Sequence, residues 1–344
     1  MPQGDPSCGF CLIKMEYKIK MNTNDNINFY DDLDDNEATD NFIDSDKRRT
    51  RFPEKHFKTV RNENAGFVNA QDDSRGNFKF TYHAARFEEW WLLDSLGELY
   101  EHQWISDVLS RVKGGKEASV YQCRAGTAVK ANLAAAKVYR PRSLRNLRND
   151  GMYRQGREDL NAEGKVVIDD GQLHAMRKNT EYGRELLHQS WIAYEFTSLQ
   201  TLHAAGADVP EPYTMTHNAI LMGFVGDEDT SAPTLSEIHL DGSEAKLLFE
   251  RTLRNIDILL KHERIHGDLS AYNILYWDGD IVLIDFPQAI SPRINKNAFK
   301  IFSRDIIRIC EYFAKQGVKS DARKLAEELW NAHNYQMFEI PEDE

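Results

Sequence analysis

At 344 residues and 41% hydrophobic content, the chain is long enough for about two domain-sized units and a sizeable core. No apolar run approaches the ~18 residues of a membrane-spanning helix, and the first residues lack a signal-peptide apolar region. Four cysteines, with Cys123 and Cys310 far apart, give no disulfide framework, and a net charge of −12 argues against a surface that binds nucleic acid as a whole. A soluble, cytoplasmic protein without a membrane partner is expected.

Residues 1–85 read as a largely disordered arm. Asp31 to Asp46 holds eight acids in sixteen residues and is followed by Lys47, Arg48, Arg49 and Arg51, blocks that are usually solvated. Cys8 and Cys11 have metal or redox spacing, but no second pair follows, so they read as reduced residues of a mobile tail. The spacing of Trp90, Trp91, Leu92 and Leu96, then Trp104, Ile105, Val108 and Leu109, predicts two helices between Phe87 and Val112.

Ser110 to Tyr121 is a glycine-containing turn entering an apolar strand, without the spacing of a Walker loop. Ala135 to Tyr139 is a second strand with a lysine, Lys137, inside it. From there to Arg157 come seven cations (Lys137, Arg140, Arg142, Arg145, Arg148, Arg154 and Arg157) against one acid, Asp150. This basic insertion, placed at 140–185, is read as a solvated loop, with a substrate- or RNA-facing role as the alternative. An amphipathic helix is predicted to begin at Trp191 and run to Leu202, carrying Glu195. Ala219 to Gly226 reads as a strand ending in glycine, suited to a hinge.

The informative stretch is HGDLSAYNILYWDGDIVLIDFPQA, residues 266–289. Ile274 to Tyr276 and Ile281 to Ile284 are short strands joined by an Asp278-Gly279 hairpin turn. A loop, a hairpin and a strand end then bring Asp268, Asn273 and Asp285 to one edge of a small sheet. Asp278, Gly279 and Asp280 are read as plain turn residues. The ordered combination H-G-D-x-x-x-x-N, apolar strand, I-D-F is a different matter. Protein kinases use this layout: one Asp takes a hydroxyl proton, an Asn five residues on binds metal, and a second Asp after a strand holds it. Lys137 is placed as the lysine for the α- and β-phosphates and Glu195 as its ion-pair partner. Only 59 residues follow Asp285, too few for an activation loop and several further helices. Ala298 to Cys310 and Ala322 to His333 read instead as two closing helices. Asp305, inside the first of these helices, is either an anchor for the catalytic-loop backbone or an exposed helix charge.

Taken together, GGKEASVY (114–121), AAKVY (135–139), WIAYEF (191–196), ILMGFVG (220–226), HGDLSAYN (266–273) and LIDFPQA (283–289) resemble the RIO family of atypical serine/threonine protein kinases. The resemblance spans about residues 104 to 312, and Phe286-Pro287-Gln288-Ala289 in place of D-F-G is its most diagnostic piece. It implies an α+β, two-lobed protein-kinase-like fold with a small β-rich lobe and a reduced helical C-terminal lobe. The expected division is 1–85 arm, 86–225 N-terminal helices and ATP-binding lobe, 226–335 catalytic lobe and 336–344 tail. The arm is too polar for the winged-helix domain of one RIO branch, so the chain resembles the branch without it.

The resemblance further implies catalytic roles for Asp268 and Asp285, with Asn273 and Asp285 as ligands of Mg²⁺ or Mn²⁺. It places ATP against Lys137, Glu195, Lys116, Ser119 and the backbones of Gly223 and Val225. Gly114 stands where the family has Ser or Thr, so no hydroxyl is available there for phosphate. In this family the residue at Asp285 is also described as accepting a phosphoryl group. The implied function is phosphoryl transfer from ATP to a protein acceptor or to the chain itself, with ATP hydrolysis. An ATPase switch in small ribosomal subunit maturation, contacting the subunit or RNA through the basic loop, is the main alternative. Small-molecule phosphotransferases of the aminoglycoside and choline kinase type share H-G-D-x-x-x-x-N and I-D-F, but build their acceptor pocket from a larger helical lobe.

Overall fold

A computed structural model of the chain describes residues 78–115, 117–140 and 157–337, all within one unit, Arg75–Glu344. The N-terminal lobe holds helix α1 (Arg86–Glu101) and strands β1 (Ile105–Gly114), β2 (Ala118–Ala125) and β3 (Leu133–Tyr139). Helices α2 (Asp170–Arg177) and α3 (Glu181–Ala204) follow, then β4 (Pro212–Met215) and β5 (Ala219–Gly223). The C-terminal lobe holds α4 (Gly242–Lys261), β6 (Ile274–Trp277), β7 (Asp280–Leu283), α5 (Ala298–Lys315) and α6 (Ala322–Ala332). The expected α+β, two-lobed architecture is what the chain adopts.

The N-terminal strands form one antiparallel sheet in the order β1-β2-β3-β5-β4. Period-2 alternation in β3 decides where Lys137 points. Ala134, Ala136 and Val138 join the core beneath α1, while Ala135 and Tyr139 join the core that continues into the helical lobe. Lys137 shares parity with the second set, so its side chain is delivered to the cleft face. Helices α3, α4 and α6 begin where short polar side chains take up free N–H groups: Thr180 accepts from Gly183, Asp241 from Ser243 and Glu244, and Asp321 from Lys324.

The stretch 87–112 departs from expectation, since it is one helix followed by a strand. Gln103 has φ +58, which ends α1, and β1 begins at Ile105. Register shifts at 105/107, 108/110 and 111/113 break strict alternation in β1, so Ile105 and Val108 are both buried at a spacing that imitates a helix. The Glu195 helix also starts ten residues before Trp191, and α2 precedes it, so part of the expected 140–185 loop is helical. Packing begins ahead of α1 as well: Phe78 is buried, stacked on Tyr100.

In the other lobe, α5 is amphipathic with Ile301, Phe302, Ile306, Ile309 and Phe313 on its buried face. Asp305 lies on that same face at 2% exposure, where the pattern calls for an apolar residue. The Asp278-Gly279 turn has φ +52 and +81, the paired left-handed geometry of a tight hairpin, and it pairs Trp277 with Asp280 as the sequence suggests.

Candidate active site

Lys137 is the centre of the cleft. Its Nζ lies 2.6 Å from Glu195 Oε1 on α3 and 2.5 Å from Asp285 Oδ1 beyond β7. The second oxygen of Glu195 accepts from the Tyr139 hydroxyl at 2.6 Å, so both oxygens of this nearly buried carboxylate are used. Burial opposes the charge on Lys137, but the Asp285 and Glu195 carboxylates outweigh it and hold its pKa above the ordinary lysine value. Burial likewise opposes ionisation of Asp285, and the Lys137 ammonium overrides it, drawing that carboxyl below the usual range. The Asp285 side chain is 44% exposed to the cleft, and its backbone has φ +71. Besides glycine, few residues other than Asp and Asn adopt that left-handed conformation.

The β6–β7 hairpin joins Asn273 to Asp285. Asn273 immediately precedes β6, Ile274 pairs with Leu283, and the Ile284 N–H donates to the Asn273 carbonyl at 3.0 Å. Hairpin register therefore seats two residues twelve apart in sequence at the same sheet end. Asn273 Nδ2 donates to the Asp268 carbonyl at 2.8 Å and lies 3.4 Å from Asp268 Oδ2, leaving its side-chain oxygen for a cation. Among the described residues no three His, Cys, Asp or Glu side chains gather at one point. The donors present are hard oxygens, one amide and one carboxylate. That set fits Mg²⁺, which takes one or two protein oxygens and completes its shell with phosphate and water.

The loop that carries Gly267 and Asp268 is held from below by α5. The Gly267 N–H donates to Asp305 Oδ2 at 2.8 Å, and Arg304 donates to the Gly267 carbonyl at 2.5 Å. Asp305 is thus the backbone anchor rather than an exposed helix charge. Burial pushes its carboxyl up to about 7, against the pull of Arg304. Gly267 has φ +81, and a Cβ there would stand 2.3 Å from the Gln288 carbonyl oxygen, so only glycine lets the two loops meet. His266 is buried and donates from Nε2 to the Ile284 carbonyl at 3.0 Å, while its Nδ1 accepts from the Asp268 N–H at 3.3 Å. Those roles require the neutral ring, and burial lowers its pKa in agreement. Arg308, also on α5, donates to Asp268 Oδ1 at 2.9 Å.

The segment after Asp285 is pinned rather than looped out. The Pro287 carbonyl accepts from Arg157 at 2.9 Å and from Trp191 Nε1 at 3.2 Å, and the Ala289 carbonyl accepts from Arg157 at 2.8 Å. Ile265 and Ile290 exchange backbone hydrogen bonds, and α5 begins at Ala298. No activation loop intervenes.

The other expected nucleotide contacts are distributed unevenly. Gly223 and Val225 lie at the lobe junction, where the Gly223 N–H donates to Glu211 and the Val225 carbonyl accepts from Ala232. Ser119 is buried and shares strand parity with Tyr121 and Cys123, on the α1 face of the sheet. It can offer a nucleotide only its backbone. Lys116, Cys8, Cys11, the charged blocks of the arm and the four basic-loop residues Arg142, Arg145, Arg148 and Arg154 lie outside the described residues. Of the basic run, Lys137 and Arg157 are committed to the cleft and to the post-Asp285 segment, so it is not one continuous patch.

The RIO domain matches this chain over residues 120–325, from β2 to α6. The chain belongs to the RIO family. It is 27% identical over 216 residues to the RIO-type serine/threonine-protein kinase Rio1 of Haloferax volcanii, covering 63% of this chain and 66% of that one. It is 29% identical over 228 residues to the serine/threonine-protein kinase RIO1 of Chaetomium thermophilum, covering 62% and 40%. The Methanocaldococcus jannaschii protein of the same Rio1 name is 27% identical over 234 residues, covering 68% and 72%. The chain therefore spans under two thirds of the length of the first two of these curated relatives. Within this RIO chain, no described helix is long and apolar enough to cross a membrane.

Sequence reasoning missed Arg304 and Arg308. Their signal was available: both flank Asp305, a carboxylate on an otherwise apolar helix stripe. It missed Arg157 and Trp191 as well, and no local signal could have found them, because the Pro287 carbonyl they share lies 130 and 96 residues away.

Proposed function

We propose that the chain is a RIO-type serine/threonine protein kinase that transfers the γ-phosphoryl of ATP, with ATP hydrolysis and autophosphorylation as accompanying activities. The observation that carries this reading is the Glu195–Lys137–Asp285 chain of charges, at 2.6 and 2.5 Å, beside a catalytic loop held by α5. Lys137 holds the α- and β-phosphates, oriented by Glu195, and the Val225 N–H faces the adenine edge. Asn273 and Asp285 hold Mg²⁺ or Mn²⁺, which supplies positive charge to the phosphate oxygens when bound. Asp268 accepts the proton of the acceptor hydroxyl. That oxygen bonds to the γ-phosphorus, the bond from phosphorus to the β–γ bridging oxygen breaks, and ADP leaves.

A second reading is favoured by one feature, the pinned segment after Asp285. With no activation loop to form a peptide groove, water or the chain itself becomes the accessible acceptor, as an ATPase switch acting in ribosomal subunit assembly would require. Contact with RNA would then fall to the basic loop. A cytoplasmic location accords with both readings.

Incubation with labelled ATP and Mg²⁺, resolving phosphoprotein, free phosphate and phosphorylated small molecules together, separates the readings. Label on protein supports the kinase, free phosphate alone the switch, and label on an aminoglycoside or choline rejects both.

A further inference from the structure

We propose that Arg308 is a catalytic cation that spans the base Asp268 and the phosphoryl group in transfer. This rests on the phosphotransfer reading above and adds a residue to it. Between Asp268 and Asn273 the loop reads Leu269-Ser270-Ala271-Tyr272 and carries no cation. Lys137 is engaged by Glu195 and Asp285. The positive charge next to Asp268 comes instead from α5, where Arg304, Asp305 and Arg308 divide the work. Arg304 and Asp305 take the backbone of Gly267, whereas Arg308 takes the side chain of Asp268, Nη1 to Oδ1 at 2.9 Å.

The geometry points past simple anchoring. Arg308 and Asp268 remain 29% and 41% exposed, so the pair is open to solvent rather than sealed in the core. An ion pair of that exposure contributes little to folding. An acceptor oxygen hydrogen-bonded to Asp268 at ~2.6–3.2 Å attacks phosphorus from ~3–3.5 Å, so the phosphoryl oxygens come within reach of a guanidinium on the same carboxylate. A guanidinium has five N–H donors in a planar fork and can serve a carboxylate and a phosphoryl oxygen together. Negative charge builds on those oxygens as the β–γ bridge breaks, and an arginine aimed at them is worth ~10³–10⁵ in other phosphoryl-transfer enzymes. The exposure of Arg308 places its effect nearer the ~10²–10³ of a single oxyanion donor.

The test uses the full chain with Arg308→Ala and Arg308→Lys, reading ATP turnover and the affinities for a non-hydrolysable ATP analogue, ADP, and ADP with aluminium fluoride, all with Mg²⁺. Analogue affinity, unchanged in both variants, shows that the fold and the ground-state site persist. Arg308→Ala is expected to lose ~10²–10³ of turnover and to bind ADP with aluminium fluoride no better than ADP, while Arg308→Lys recovers part of each. Undiminished preference for the fluoroaluminate complex in Arg308→Ala overturns the proposal, because Arg308 would then act only by orienting Asp268. If the wild type neither turns over ATP nor binds that complex, the phosphotransfer reading itself falls and this proposal with it.

Discussion

Lys137 and Asp285 meet at 2.5 Å although they are 148 residues apart, one inside β3 and the other just beyond β7. The contact joins the sheet to the segment that follows β7. On the proposed kinase reading, nucleotide and metal give both charges new partners, so removing the lysine leaves phosphate uncompensated in a partly desolvated site. Lys137→Ala is expected to lower nucleotide affinity and to reduce turnover by ~10²-fold or more. Titration of a fluorescent ATP analogue beside a turnover assay checks this, and unchanged values in both would sink the assignment.

The two aspartates should separate by experiment. Asp268→Ala is expected to retain Mg-ATP binding while losing ~10²–10⁴ of turnover, the usual worth of a general base. Asp285→Ala should lose the metal-dependent part of binding together with all turnover. If Asp285 accepts the phosphoryl group, hydroxylamine will release label from the wild type, as an acyl phosphate requires. Equal loss of nucleotide binding in the two variants would mean that base and metal ligand have been interchanged.

Asp305 makes stability depend on pH in an unusual direction. Its folded pKa is raised to about 7 from 3.8, so between those values the folded state holds a proton that the unfolded state has released. Stability therefore falls as pH rises through this window and levels off above it. Asp305→Asn keeps an oxygen for the Gly267 N–H and removes the titration. Thermal denaturation from pH 5 to 8 should show the wild type losing ground to this variant, by an amount on the order of a few kcal/mol at most. Parallel pH profiles would show that Asp305 is already charged across the range.

Gly267→Ala tests whether the two loops need their close approach. The new methyl group would meet the Gln288 carbonyl at 2.3 Å on a backbone with φ +81. A loss on the order of 1–3 kcal/mol is expected from the conformation alone, with more from the clash, read as a lower urea midpoint. Wild-type stability would show that residues 286–289 can shift without cost.

The site was legible wherever chemistry and local spacing coincide. Asp268 and Asn273 lie five apart in one loop, and the Asp278-Gly279 turn announces the hairpin that carries Asn273 to Asp285. Lys137 was legible because a lysine inside Ala135 to Tyr139 has no other reason to be there. The failures follow from the same locality. Bulges in β1 mimic helical spacing, so Trp104 to Leu109 read as a helix. Arg157 and Trp191 act on partners that only the folded chain brings near. The face that Ser119 presents depends on strand parity, which its neighbours Ala118 and Val120 do not reveal.

The left-handed backbone of Asp285, φ +71, filters residues by shape as well as by charge. Asp, Asn and Gly enter this region readily, whereas other side chains crowd the following carbonyl. Glutamate would bring the same charge but also a conformational cost and one extra methylene of reach. Position 285 therefore has a short alphabet. The gentlest way to silence it is Asp285→Asn, which cancels the charge and leaves the bend of the chain as it is.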